Sequence, residues 1–229
     1  MKAIDHQKPL PELVYERVIE AICSGTLDPG ERLTQEELAR QLNVSRLPVG
    51  QALNRLKSEG FLIPAGKRGL KVAPLEGRFV RELYEFRAGI DQVSAGLAAK
   101  RAGAGLRDRG NAVLERGRRA AAAHDIPELI AADMAFHTLI CEAAGNWMIL
   151  ETMESHWNHT RRVMQAIVSD DRNRDQVWHE HTAILDAICA GNAAEAEWVA
   201  RQHVERAADW FENELARARH AHQAATAQR

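Results

Sequence analysis

Residues 34–60 leave little choice of backbone. Thr34 stands where its hydroxyl can cap a helix, and Glu37, three residues on, can bond back to the cap, the reciprocal capping box. Leu38 and Leu42 give that short helix a buried stripe. Asn43 and Val44 turn the chain and Ser45 caps the next helix. Pro48 falls in its first turn, where a missing N–H does no harm. Val49, Ala52, Leu53 and Leu56 face inward, and Gly60 ends the helix. Upstream, Leu13, Val14, Val18, Ile19 and Ile22 mark another helix, stopped by Gly25 and the Asp28-Pro29-Gly30 turn. Downstream, two short strands, 61–63 and 70–72, flank a Gly-bearing basic loop at 64–69 and read as a hairpin. Three helices and a hairpin, with a tight turn between helices two and three, make a winged helix-turn-helix.

The chain changes character at Glu76. Ala, Arg, Glu and His now recur with helical periodicity, and helices are expected near 77–102, 105–123, 126–144, 146–169, 173–190 and 193–218. Gly103, Gly105, Pro127, Gly145-Asn146 and Gly191-Asn192 separate them, and the polar, Ala-rich end from Ala218 is expected to fray. The expected fold is mainly α. Residues 1–75 form a winged helix-turn-helix with a small β-hairpin wing, and residues 76–229 form an all-α antiparallel bundle of about six helices.

Composition excludes some classes. The net charge is −2 over 229 residues, so no bulk basicity marks a nucleic-acid binder; the first 75 residues carry only a small basic excess. No run approaches the roughly 18 apolar residues of a membrane span, and nothing near Met1 resembles a signal peptide. Cys23, Cys141 and Cys189 lie in apolar helical stretches without metal-like spacing, the pattern of reduced core thiols. A cytoplasmic location and no membrane partner are expected.

The helix from Ser45 carries polar residues on its outer side. Arg46, Gln51, Asn54 and Arg55 lie outside its packing stripe, and Lys67, Arg68 and Gly69 stand on the hairpin loop. With Thr34 and Ser45 at the helix starts, these residues form the candidate surface for double-stranded operator DNA. Residues 11–74 then resemble the GntR family of bacterial regulators. The resemblance is carried by Pro29-Gly30-Glu31-Arg32-Leu33, Glu37-Leu38-Ala39, the run Val44-Ser45-Arg46-Leu47-Pro48-Val49-Gly50-Gln51-Ala52-Leu53, and Glu59-Gly60. The family pattern usually reads Ser-Arg-Thr-Pro-Val-Arg-Glu-Ala-Leu there. This chain departs at Leu47, Gly50 and Gln51, all outside the packing positions. Gly50 replaces an arginine that in the family usually touches the operator. The operator is therefore expected to differ from those of relatives, read by Arg46 with Gln51 or Asn54.

In the second domain Asp133 and His137 are four residues apart and share a helix face whose neighbours Met134, Phe136 and Ile140 are apolar. His181 and His203 fall on two later helices that pack inward. One carboxylate and three imidazoles make a coordination set for a divalent metal ion, zinc first, with nickel or manganese as alternatives. Residues 80–215 resemble the FadR-type, FCD ligand-binding domain within the GntR family. The matching residues are Leu83-Tyr84-Glu85-Phe86-Arg87, Leu97-Ala98-Ala99, Asp133-Met134-Ala135-Phe136-His137, Gly145-Asn146, Glu180-His181, 184–188 and His203. The resemblance implies that Asp133, His137, His181 and His203 hold a metal at a pocket floor, and that a small carboxylate effector completes its shell. Arg87 aligns with an arginine often found in such pockets, and Arg161 shares a face with Trp157 and Met164. Both are candidate effector-binding residues, an ion pair with Asp91 being the alternative for Arg87.

These features point to a sequence-specific DNA-binding transcription regulator, a repressor working as a homodimer and controlled by an organic acid. A metal-dependent hydrolase and a helical interaction protein that has lost DNA binding are the competing classes. No His-Glu-x-x-His helix, phosphate-cradling Gly loop or nucleophile elbow is present, so no enzyme is expected.

Overall fold

Apolar residues three and four apart put one face of helix α1 (Leu10–Cys23) into a core shared with α3 (Arg46–Ser58). Val14, Val18, Ile19 and Ile22 of α1 meet Val49, Leu53 and Leu56 of α3, all buried. Between them runs α2 (Gln35–Gln41), whose N-cap Thr34 accepts a hydrogen bond from the Glu37 amide at 3.2 Å. Asn43, in the left-handed region at φ 52°, makes the turn into α3. Ser45 holds the N-cap position of α3, but its side chain makes no capping bond, contrary to expectation. The residue is exposed to solvent.

The wing is larger than a hairpin. Strands β1 (Arg32–Leu33), β2 (Leu62–Pro64) and β3 (Leu70–Val72) form an antiparallel sheet in the order β1-β3-β2. Leu33 pairs with Leu70 and Leu62 with Val72, so the short β1 closes the second edge of β3. A two-residue strand has too little periodicity to announce itself. Pro64 sits on the edge strand β2, where its missing N–H breaks no central ladder.

The computed structural model describes residues 8–66, 69–103, 105–167 and 174–227. The chain divides into two compact units at Leu75 and Glu76. Every described element of the second unit is a helix: α4 (Gly77–Arg101), α5 (Leu106–Ala123), α6 (Ile126–Ala143), α7 (Trp147–Ile167), α8 (Arg174–Cys189) and α9 (Ala193–Ala227). The six helices stand where periodicity placed them, except that α9 continues to Ala227 instead of fraying from Ala218. Alanine-rich sequence has the highest helix propensity, which sustains those last turns. No described helix is long and apolar enough to cross a membrane. All three cysteines are free, Cys23 and Cys141 being buried and Cys189 half-buried.

Two close approaches shape this bundle. Helix α4 packs along α9, and α5 lies between α6 and α8, with Leu114, Phe136, Ile184, Leu185 and Ile188 at the centre. Each such side chain contributes roughly 1.5–3 kcal/mol of burial. On α5, Gly110 and Gly117 face α8, where an added Cβ would stand 2.5 Å from Leu185 and 2.0 Å from Trp178. Those glycines let α8 approach α5 closely, and α8 carries His181.

Candidate functional site

Four buried side chains from three helices converge inside the second unit: Asp133 and His137 from α6, His181 from α8 and His203 from α9. One ligand atom from each lies within 4.8 Å of all the others. His181 Nε2 is 3.2 Å from His203 Nε2 and 3.4 Å from an Asp133 oxygen, and His137 Nε2 is 4.0 Å from that same oxygen. Bonds of about 2.0–2.1 Å to a shared ion place neighbouring ligand atoms about 3–3.5 Å apart, so the set fits a divalent cation with little adjustment.

The far nitrogens decide which atoms face inward. His137 Nδ1 stands 3.3 Å from the Asp91 carboxylate, and His203 Nδ1 is 2.8 Å from that of Glu180. A carboxylate accepts, so both Nδ1 atoms carry the proton and both Nε2 lone pairs point into the cluster. His137 Nε2 is buried with no hydrogen-bond partner among the described residues. Burial, and then the other two imidazoles, push the His181 pKa well below its usual value; burial also lowers that of His203. The rings of His181 and His203 are therefore held neutral, the form that ligates. Phe136 stacks on His181 with centroids 4.3 Å apart, and Trp178 meets it edge-on at 4.9 Å, which locks the ring.

The carboxylates behind the rings are anchored in turn. Asp91 also takes a 3.3 Å bond from Arg87, and both are buried. Burial alone would raise the Asp91 pKa, but His137 and Arg87 outweigh it and hold the group ionised. Glu180 accepts from Gln176 at 3.0 Å and from Arg206 at 2.8 Å. Despite its burial, the bonds from His203, Gln176 and Arg206 hold its pKa at about 2. Each carboxylate is thus committed to a ring and a cation, and neither is a general base for an open coordination position.

A cavity of about 170 Å³ opens on this cluster, and Asp133 and His203 reach its floor. Arg87 and Tyr84 line it beside them. The Tyr84 hydroxyl and Arg87 Nε are buried without a hydrogen-bond partner among the described residues. Burial pushes the Tyr84 phenol upward, so it stays a proton donor. Arg87, one of the two expected effector residues, is therefore in the cavity and in the ion pair with Asp91 at once. Arg161 does not reach the cavity: α7 buries Met153, Trp157, Thr160 and Met164, and Arg161 falls beside that stripe, half-buried.

On the winged unit, Arg46, Gln51 and Asn54 are exposed on α3, as are Thr34, Ser45 and Gly69. Lys67 and Arg68 lie outside the described residues. Arg46 pairs with the exposed Glu36 at 3.1 Å. Arg55 is turned back: it bonds Glu59 at 2.9 Å and lies 3.8 Å over the Tyr15 ring, while the Tyr15 hydroxyl donates to Glu59 at 2.6 Å. That trio staples α3 to α1. Where the expected arginine is replaced by Gly50, the Gln35 side chain closes in, 3.3 Å from the place of a Cβ.

Sequence reasoning missed three groups of residues. Glu180 and Asp91 as supports of His203 and His137 left no signal, since a helix period says nothing of a partner 23 or 46 residues away. Arg32, which donates to the Ala65 carbonyl at 2.7 Å and so braces the wing, lies within the run 29–33, whose spacing assigns it no partner. Trp178 and Tyr84 are aromatic residues on apolar faces, indistinguishable by spacing from core.

Comparison with known proteins agrees with this geometry. Residues 10–72 match the model of bacterial regulatory proteins of the gntR family, and residues 82–206 match the FCD domain. The chain is 32% identical over 182 residues to the Nta operon transcriptional regulator of Aminobacter aminovorans, covering 78% of this chain and 83% of that one. It is 30% identical over 224 residues to the putative L-lactate dehydrogenase operon regulatory protein of Escherichia coli, covering 85% and 83%. Its fold is that of E. coli McbR/YncC, with a TM-score of 0.78 at 19% identity over 91% of this chain and all of that one. These families are of DNA-binding transcriptional regulators and not of enzymes. The chain belongs to the GntR family of transcriptional regulators, in the branch that carries an FCD domain.

Proposed function

We propose that this protein is a repressor whose operator affinity is set by a small carboxylate effector, bound where Asp133, His137, His181 and His203 hold a divalent metal ion. The observation that carries the reading is the convergence of one carboxylate and three imidazoles beside a cavity that Asp133 and His203 line and that also holds two unpartnered donors, Tyr84 Oη and Arg87 Nε. Zinc suits three imidazoles and a carboxylate, and nickel or manganese are the alternatives. Bound there, the ion would supply a Lewis-acidic point for a carboxylate oxygen. Arg87 and Tyr84 then orient the anion, and Asp91 and Glu180 keep the rings in register.

The DNA-facing residues of this reading are Thr34, Ser45, Arg46, Gln51, Asn54 and Gly69, with Lys67 and Arg68 on the wing loop. Arg55 serves the packing of α3 as well. The second unit, residues 76–229, is the effector-binding and dimerisation domain. A homodimer is supported by Phe86 and Val93, two exposed large apolar residues two turns apart on one face of α4. Two copies would set two α3 helices on half-sites roughly one helical turn apart. By linkage, effector and operator must change each other's affinity by the same factor.

The test is operator affinity with and without candidate carboxylates, on zinc-loaded and on chelated protein. Weaker operator binding on adding the effector, only when zinc is present, is the expected result. An effector that binds without moving operator affinity would defeat the coupling.

A further inference from the structure

We infer that the effector is a monocarboxylate with an apolar body about the size of one aromatic ring, not a hydroxylated or polycarboxylic acid. This rests on the effector reading above and narrows its chemistry. Beyond the floor, the buried charge on the cavity wall is balanced: Gln176 and the Nε of Arg206 both donate to Glu180, and these two donors stand at the exposed rim. Arg87 is balanced by Asp91, and Asp133 offsets part of a bound ion's charge. On the described wall of the cavity this leaves two unpartnered buried donors, Tyr84 Oη and Arg87 Nε, enough for one carboxylate. The rest of the wall is Leu129, Met164, Val177, Trp178, Trp210 and Phe211. A hydroxyl or second carboxylate placed there would give up its water for a wall whose donors are the indole N–H groups of Trp178 and Trp210 alone, too few to replace its hydration. The volume of about 170 Å³ compares with the roughly 150 Å³ of an apolar cavity that takes up benzene.

Benzoate, L-lactate and citrate, titrated calorimetrically into zinc-loaded full-length protein, test this. Benzoate should bind at least about tenfold more tightly than either hydroxy acid, as burial of a ring requires. Trp210→Ala should weaken benzoate by about tenfold or more by the same burial, with zinc content by elemental analysis unchanged. Tight lactate or citrate with weak benzoate would overturn the inference and leave the effector reading standing. Binding of none of the three to zinc-loaded protein would remove both.

A separate observation concerns the operator. Leu47, the second residue of α3, is 72% exposed, an isolated apolar side chain on the first turn of the helix that such proteins lay in the major groove. Gln51 and Asn54 follow at four and seven residues, on the same face and also exposed. We propose that this face reads A·T pairs: Leu47 against the C5-methyl of thymine, and Gln51 or Asn54 on the N6 and N7 edge of adenine. Guanine readers are fewer on this helix than the family pattern provides, because Gly50 has no side chain and Arg55 is turned onto Tyr15, which leaves Arg46.

The experiment selects sites for the full-length protein from random duplexes, then replaces each thymine of the best site by deoxyuridine, which removes only the methyl. One replacement should weaken binding about fourfold, the worth of a buried methyl, and should have no effect on Leu47→Ala. Selected sites without a required thymine, or equal sensitivity of Leu47→Ala to deoxyuridine, would overturn the proposal.

Discussion

Replacing Gly117 by alanine adds one methyl group at the tightest contact in the bundle. Its Cβ would stand 2.0 to 2.3 Å from three atoms of the Trp178 six-membered ring, against the roughly 3.5–4 Å that carbon atoms require. The ring must therefore move by more than an ångström. The ring is 3% exposed and seated edge-on against His181, so it can yield only toward the cavity that it lines, at the cost of its own packing. Overpacking of this kind costs about 1–3 kcal/mol, while alanine in mid-helix regains about 0.5–1 kcal/mol over glycine. The net expectation is a loss of about 1–2 kcal/mol, or a Tm lower by roughly 2–8 °C. Urea unfolding followed by far-ultraviolet circular dichroism measures it. The decisive comparison is the Trp178→Phe background, where the offending ring atoms are gone and Gly117→Ala should become neutral or stabilising. Equal stability of Gly117→Ala and the parent, or the same penalty in both backgrounds, would refute the reasoning. Zinc affinity of Gly117→Ala should also fall, because the displaced indole presses on a ligand ring.

Other outcomes follow from the same geometry. Glu180→Gln and Asp91→Asn keep the shape but remove the charge behind His203 and His137, and each should lower zinc affinity by about 10–100-fold in a competition titration; unchanged affinity would show that those carboxylates do not serve the rings. Thr34→Ala removes an observed cap and should cost about 1 kcal/mol, whereas Ser45→Ala, whose hydroxyl makes no capping bond, should cost no more than a few tenths; equal urea midpoints for the two variants would contradict the assignment. Gly50→Arg must push aside the flexible Gln35 side chain and should then tighten binding to GntR-type operators by about 1–3 kcal/mol. A gel-shift series with no change in affinity or base preference would dispose of that expectation.

Local physics was legible in the residues. The capping of α2 by Thr34, the turn at Asn43 and the packing stripe of α3 each depend on groups within a few positions of one another, so their spacing encodes them. The pairing of Asp133 with His137 on one face of α6 is of the same kind. Periodicity, however, records which side of a helix is buried and not what it is buried against. That His181 and His203 reach that pair came from likeness to a family, and the distances came from the packing of α6, α8 and α9. The carboxylates behind the rings, the Gly117–Trp178 contact that seats α8 and the recruitment of Arg55 to α1 all join residues far apart in the chain. Only tertiary structure decided them, because side chains of ordinary type become ligands, supports or readers according to which other helix stands opposite.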